Sequence, residues 1–196
     1  MNQNGKTLTD MTAPAKEKSA WEEYLALPDT TLAEFIDGAI YFMASPSRTH
    51  QEIISELHLT IGNYLKAKKG PCRVYPAPFG VKLERDKNNF LEPDITVICD
   101  RDKLTESGCE GAPDWIIEVA SPSDLQHDYI TKLSMYREAG VREYWIVNPM
   151  DKAVLVYHLE ENDFGVHTFT FADRVASYVF PDLTIDFPEI NRVISE

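Results

Sequence analysis

Two acidic residues of the sequence stand where carboxylates could do chemistry. Asp94 follows Pro93 at the start of a predicted strand, and Glu118 lies inside the apolar segment 115–120, which is predicted to be a further strand. A glutamate in so apolar a strand is costly unless it is paired or metal-bound. If the two strands are neighbours, both carboxylates can converge on Mg²⁺ or Mn²⁺, which prefer oxygen ligands. A metal held there could activate a water and polarise a phosphoryl oxygen.

A cation beside the phosphate would also stabilise the negative charge that develops during such a reaction. Lys132 is the candidate, because it lies on the predicted helix after Glu118 and its long stem can reach back over the sheet.

Each of these residues also has a simpler interpretation. A Pro-Asp pair before a strand is common turn chemistry. Glu118 could be a buried partner of Arg73 or Lys82. Lys132 stands four residues after Asp128, a spacing that suits a surface ion pair on a helix.

The composition indicates an ordinary globular protein. The chain has 196 residues, of which 43% are hydrophobic and 26% charged, which fits one domain with a real core. No apolar run is long enough to cross a membrane. The three cysteines form no C-x-x-C pair and are expected to be reduced thiols of a cytoplasmic protein; they are Cys72, Cys99 and Cys109.

The net charge of −13 is difficult to reconcile with a protein that holds duplex DNA through many phosphates. The densest basic cluster consists of Lys66, Lys68, Lys69 and Arg73. It could contact nucleic acid, but cations at the carboxyl end of a predicted helix are the favoured interpretation. Tyr144 and Trp145 are expected in the core or a subunit interface.

The pattern predicts a mobile tail over residues 1–19 and one α/β domain over 20–196. Asp37-Gly38 predicts a hairpin turn between strands 32–36 and 39–43. Helical periodicity follows up to Lys69, with Gly70 as the stop. The later segments are predicted as three strands, a helix from about 124 to 139, a strand at 144–147 and an antiparallel edge pair. Between and after them, residues 84–89 are predicted as a turn, 100–113 as a polar connection, and 180–196 as irregular structure that covers the sheet. The order α-β-β-β-α-β favours a mixed sheet with helices on its faces.

An ordered set of short strings resembles the Uma2 family, also called DUF820, of the PD-(D/E)xK restriction-endonuclease-like superfamily. The strings are Glu34-Phe35-Ile36-Asp37-Gly38, His50-Gln51, Glu92-Pro93-Asp94-Ile95, Ile117-Glu118-Val119-Ala120-Ser121-Pro122-Ser123, Asp128 through Lys132 to Tyr136, and Gly140-Val141-Arg142-Glu143-Tyr144-Trp145-Ile146-Val147. The resemblance implies a restriction-endonuclease-like core of the same α-β-β-β-α-β order.

The resemblance also implies roles for individual residues. Asp94 matches the Asp of the PD motif and Glu118 the acid of the (D/E)xK motif. The motif lysine would fall at Ala120, so its role is expected to pass to Lys132. Mg²⁺ or Mn²⁺ would be held by Asp94, Glu118 and the carbonyl of Val119.

Two more residues match recurrent family positions. Glu34 could join the metal shell and His50 could handle a proton. A hairpin ion pair and a helix-face hydrogen bond are their simpler interpretations.

The leading hypothesis is therefore a metal-dependent endonuclease that hydrolyses nucleic-acid phosphodiesters, with DNA favoured over RNA. The alternative is a non-catalytic binding or regulatory module that keeps the fold, motivated by the acidic charge and by Ala120. A third interpretation is an acid/base hydrolase that uses Asp94 and Glu118 without metal. Homodimers are common in the superfamily, and the extra hairpins offer edges for pairing, so a homodimer is also expected.

Overall fold

A computed structural model describes residues 18–28, 30–83, 89–121, 127–160 and 164–196, with the main chain only at 127–129. Three predictions fall wholly or partly outside these residues: the tail at 1–19, the turn at 84–89 and the helix start near residue 124. The helices are α1 Ala20–Leu25, α2 Arg48–Lys68, α3 Leu133–Ala139 and α4 Phe187–Val193, with a 3₁₀ turn at Arg101–Lys103 and a π-helical segment at His127–Lys132. The strands are β1 Ala33–Ile36, β2 Ala39–Phe42, β3 Arg73–Pro76, β4 Val81–Lys82, β5 Ile95–Ile98, β6 Leu104–Thr105, β7 Gly108–Glu110, β8 Trp115–Val119, β9 Glu143–Asn148, β10 Ala153–His158, β11 Gly165–Thr170, β12 Arg174–Ala176 and β13 Thr184–Asp186.

A six-stranded mixed sheet in the order β11-β10-β9-β8-β5-β3 forms the centre of the fold. The β8–β9 pair is parallel, and the other neighbours are antiparallel. The parallel pair needs a crossover connection, which α3 provides. The elements α2, β3, β5, β8, α3 and β9 reproduce the predicted order α-β-β-β-α-β, so the predicted fold class is confirmed.

The sheet is covered on both faces, which explains why β8 and β9 are buried along their whole length. Successive β8 side chains alternate between two apolar clusters. Trp115, Ile117 and Val119 pack with α2 and α4, whereas Ile116 packs with α3 and the β1–β2 hairpin. By this alternation Glu118 points to the same side as Ile116, towards α3.

The β1–β2 hairpin forms as predicted. Its turn residues Asp37 and Gly38 have φ values of 48° and 83°, a left-handed conformation that Asp tolerates and Gly favours. The side chain of Asn89 accepts a hydrogen bond of 2.9 Å from the Asp37 N–H and fixes the turn against the body of the protein. Trp21 and Tyr24 of α1 pack on Phe35.

Helix α2 begins at a Ser47 cap and ends one residue earlier than its composition predicts. Lys69, and not Gly70, takes the left-handed conformation that closes the helix, with φ at 54°. Its N–H bonds to the Leu65 and Lys66 carbonyls, and this pays the small conformational cost of a non-glycine residue there.

Two predicted irregular segments contain regular structure. Residues 100–113 hold the 3₁₀ turn and the β6–β7 hairpin, and residues 180–196 hold β13 and α4. These elements are short, so periodicity gives little signal. The chain directly before residue 180 is fixed by buried Glu143, whose carboxylate accepts hydrogen bonds from Ser177 Oγ and from the N–H groups of Tyr178 and Val179. This anchor holds the carboxyl-terminal segment on the sheet.

The expectation of three reduced thiols is wrong for two of them. Cys72 and Cys99 form a disulfide, and Cys109 is free and buried. The antiparallel register of β3 and β5 pairs Arg73 with Ile98, so the flanking cysteines stand opposite each other. This pairing is a property of the sheet register and not of the sequence spacing.

Among the described residues, no helix is both long and apolar enough to span a membrane.

Candidate active site

The two predicted acids meet at one end of the central strands. The β5–β8 register pairs Ile95 with Ile117, and extending it by one residue places Asp94 opposite Glu118. The Asp94 N–H donates to Glu118 Oε2 at 3.3 Å, and the Val119 N–H donates to Asp94 Oδ2 at 2.7 Å. Each acid is thus oriented by the main chain beside the other, as the prediction of neighbouring strands requires.

Lys132 reaches this pair from the segment that precedes α3. Its Nζ lies 2.9 Å from Glu118 Oε1 and 3.1 Å from Glu34 Oε1, and all three side chains are buried. The Tyr136 hydroxyl, one helical turn later, donates to the same Glu118 oxygen at 2.9 Å. Glu118 therefore accepts hydrogen bonds from an ammonium, a phenol and a main-chain amide, and these bonds offset the cost of burying its charge.

Glu34 enters from the β1–β2 hairpin. Its Oε1 also accepts a hydrogen bond of 2.9 Å from the Glu92 N–H. The simpler interpretation of Glu34 was an ion pair within the hairpin, but the ion pair found among the described residues is with Lys132, from the other side of the site.

His50 enters from the first turn of α2. Its Nε2 lies 3.4 Å from Asp94 Oδ2, so the helix positions an imidazole beside the acid pair. Asp94 thus has a main-chain donor and an imidazole at Oδ2, and its Oδ1 has no hydrogen-bond partner among the described residues.

One large cavity of about 1340 Å³ is lined by the side chains of Glu34, His50, Asp94, Glu118 and Lys132. Its described charged residues are four carboxylates and one lysine: Glu34, Glu92, Asp94, Glu118 and Lys132. The excess of carboxylates makes the cavity attractive to cations.

The close carboxylates affect the titration of their neighbours. Burial, and then the charge of Glu34, raise the pKa of Glu92 above its usual 4.5. Burial, and then the charges of Glu92 and Glu34, raise the pKa of Tyr24 to about 12. Burial and the charge of Glu118 raise the pKa of Tyr136 well above its usual value, so this phenol remains a donor.

The donor set has the chemistry that Mg²⁺ needs. No group of three or more His, Cys, Asp or Glu side chains in the described chain is arranged to hold a metal ion. Mg²⁺, however, is usually held by one or two carboxylates, with water and substrate phosphate completing its shell. Asp94 and Glu118 would supply the two carboxylates, and Val119 lines the same cavity.

The contacts of Glu118 and Lys132 differ from the simpler interpretations of these residues. Neither Arg73 nor Lys82 pairs with Glu118 within the described residues, where the ion pair of Glu118 is with Lys132. Lys132 is buried and not on the surface. The side chain of Asp128 lies outside the described residues.

Two residues without a predicted role also lie at the site, Tyr136 and Glu92. Tyr136 stands four residues after Lys132, and that helical spacing would have indicated a shared face. Glu92 directly precedes the Pro-Asp pair.

The predicted basic cluster lies far from this cavity. Lys66 follows His50 by sixteen residues along α2, or about 24 Å at the helical rise. Lys68 pairs with Asp182, and Arg73 donates to the carbonyls of its own loop. The favoured interpretation, cations at a helix end, agrees with these contacts. Tyr144 and Trp145 are fully buried in the core, as expected.

Comparison with known proteins agrees with this architecture. The family model Uma2, described as "Putative restriction endonuclease", matches residues 21–188. A crystal structure described as "a putative nuclease belonging to DUF820", from Anabaena variabilis, superposes with a TM-score of 0.73 at 24% identity, covering 91% of this chain and 99% of that one, a likeness that shows the shared fold. The uncharacterized protein slr1290 of Synechocystis sp. is 25% identical over 158 residues, which are 79% of this chain and 82% of the relative. With the family model covering most of its length, the chain belongs to the Uma2 family.

Proposed function

We propose that the protein is a Mg²⁺- or Mn²⁺-dependent endonuclease that hydrolyses nucleic-acid phosphodiester bonds, with DNA favoured as substrate. The observation that carries this proposal is the convergence of Asp94 and Glu118, with Lys132 Nζ 2.9 Å from Glu118, inside an acidic cavity. The family description and the nuclease description of the Anabaena variabilis structure support it.

In this proposal Asp94, Glu118 and the Val119 carbonyl hold the divalent cation. When bound, the cation would lower the pKa of a water and neutralise charge on the phosphate. Asp94 Oδ1 has no hydrogen-bond partner in the described part of the chain, and Val119 lines the cavity; both observations support this choice of ligands.

Lys132 is proposed to orient the attacking water and to stabilise the charge that develops on the phosphate. Its ammonium is held by Glu34 and Glu118, so little reorganisation is needed when a substrate arrives. A fixed lysine here supplies the charge that Ala120 cannot supply at the usual motif position.

His50 is proposed to handle a proton, because its ring lies beside Asp94 at the cavity wall. Glu34 is proposed chiefly to position Lys132. If the lysine moves towards the substrate, the Glu34 carboxylate could also coordinate the metal.

The test is cleavage of plasmid DNA, single-stranded DNA and RNA in Mg²⁺ or Mn²⁺. Asp94→Asn keeps an oxygen that can accept from the Val119 N–H but loses the charge, and we expect it to lower the rate by at least about 100-fold, the scale of losing a key electrostatic group. Asp182→Asn is the matched control, since Asp182 is exposed and pairs with Lys68 elsewhere. Equal cleavage by wild type and Asp94→Asn would sink the proposal. Metal binding without any cleavage would favour the non-catalytic module.

A further inference from the structure

The cavity that holds the acids has an apolar rim. Phe42 and Met150 line it with 67% and 46% of their surface exposed, and Tyr41 is also exposed. Tyr41 and Phe42 come from β2, whereas Met150 follows β9. Two separate elements thus present large apolar side chains at the mouth of one cavity.

The rim is close to the proposed chemistry. Tyr41 pairs with Glu34 in the hairpin register, so the two side chains stand side by side on one face. Glu34 in turn contacts Lys132. Met150 is near for a different reason, since β9 runs parallel to β8 and both strands end at the edge that carries Glu118.

The cavity offers little charge for binding a nucleic-acid backbone. Lys132 is the one lysine or arginine among its described lining residues, and it contacts two carboxylates. Duplex binding normally draws on many contacts between basic side chains and phosphates. Affinity for nucleic acid at this cavity therefore needs another source.

Stacking of bases on aromatic rings needs no positive charge and tolerates any sequence. Bases within a duplex are already stacked and paired, so only unpaired bases can reach such rings. We propose that Phe42, Tyr41 and Met150 form a subsite for unpaired nucleobases, and that the substrate is single-stranded or locally unpaired nucleic acid. This inference rests on the proposed nuclease function and specifies its substrate class.

The test measures binding of short fluorescein-labelled oligonucleotides by fluorescence anisotropy. Ca²⁺ replaces Mg²⁺ in this assay, because both are hard cations that prefer oxygen ligands. Single-stranded DNA and RNA should bind at least about tenfold more tightly than duplex of the same sequence, and Phe42→Ala should weaken single-strand binding about tenfold. A strand with abasic sites should bind wild type as weakly as the intact strand binds Phe42→Ala. The salt slope should be shallow, near −0.7, as for about one phosphate contact on a single strand.

Phe164→Ala is the matched control, because Phe164 is also about half exposed but lies outside this cavity, against Arg137. Equal binding of duplex and single strand, or unchanged affinity in Phe42→Ala, would overturn the subsite. So would a change in the oligomeric state of Phe42→Ala with unchanged affinity, which would identify the rim as a contact between copies. Asp94-dependent cleavage without single-strand preference would leave the proposed function standing and remove only this inference.

Discussion

Among the described residues, the charged side chains that line the cavity are four carboxylates and one lysine. The main chain and Tyr136 satisfy much of the hydrogen bonding, so Glu34 and Glu118 stay buried at moderate cost. The ammonium of Lys132 is the charge that Glu34 and Glu118 share.

Lys132→Met should destabilise the protein. Removing one partner of a buried ion pair costs about 3–5 kcal/mol in the free energy of unfolding, which urea denaturation measures. Because a divalent cation can stand beside the same carboxylates, Mn²⁺ should restore part of that loss. Lys68→Met, which breaks an exposed pair with Asp182, should have a small effect that Mn²⁺ does not change. A Lys132→Met protein as stable as wild type without metal would contradict the shared-charge account.

Glu92→Gln should stabilise the protein at neutral pH. The pKa of Glu92 is raised by burial and by Glu34, so its protonated form suits the fold. That contribution is full below the usual pKa of 4.5 and is lost as pH rises through the raised pKa of the folded state. Melting curves should therefore show a gain for the variant at neutral pH that disappears in acid. Glu110→Gln, at an exposed glutamate outside the cavity, is the control, and an equal gain at both pH values for Glu92→Gln would refute the argument.

Among the helices and strands, those with a clear hydrophobic periodicity, an apolar run or a turn signal can be predicted from the sequence. The buried strand 115–119, the long helix α2 and the Asp37-Gly38 hairpin are each found where the pattern places them. The short β6–β7 and β12–β13 hairpins carry too few residues for a pattern. The acids and Lys132 could be selected from residue type and resemblance, but the contact of Tyr136 with Glu118 depends on how α3 packs on β8.

The Cys72–Cys99 disulfide is a consequence of strand pairing, since the register of β3 and β5 places the two cysteines opposite each other. It closes a loop with a sequence separation of 27 residues. By the chain-entropy model, reduction should lower the free energy of unfolding by about 3.5 kcal/mol, as urea denaturation with and without reductant can measure.

The Cys72→Ser/Cys99→Ser double variant is the control, and its stability should not respond to reductant. Thiol titration of the unfolded, unreduced protein should find only Cys109 reactive. Titration of all three cysteines under those conditions would show that the thiols are reduced, as the sequence pattern predicts.

For the whole molecule, the net charge of −13 and the acidic cavity favour the binding of cations. They disfavour the binding of duplex DNA through many contacts with basic side chains. The six-stranded sheet leaves β3 and β11 at its edges, where a homodimer could pair. The homodimer, the cytoplasmic location and the division into a tail and one domain stay predictions.

Everything proposed for catalysis requires that Asp94 and Glu118 hold one divalent cation together, close to Lys132. The most direct measurement is anomalous diffraction from a crystal of the protein soaked in Mn²⁺. We predict a single strong peak in contact with carboxylate oxygens of both Asp94 and Glu118, absent from Asp94→Asn crystals treated in the same way. No peak there at saturating Mn²⁺ in an intact site, or a peak that persists in Asp94→Asn, would contradict the account.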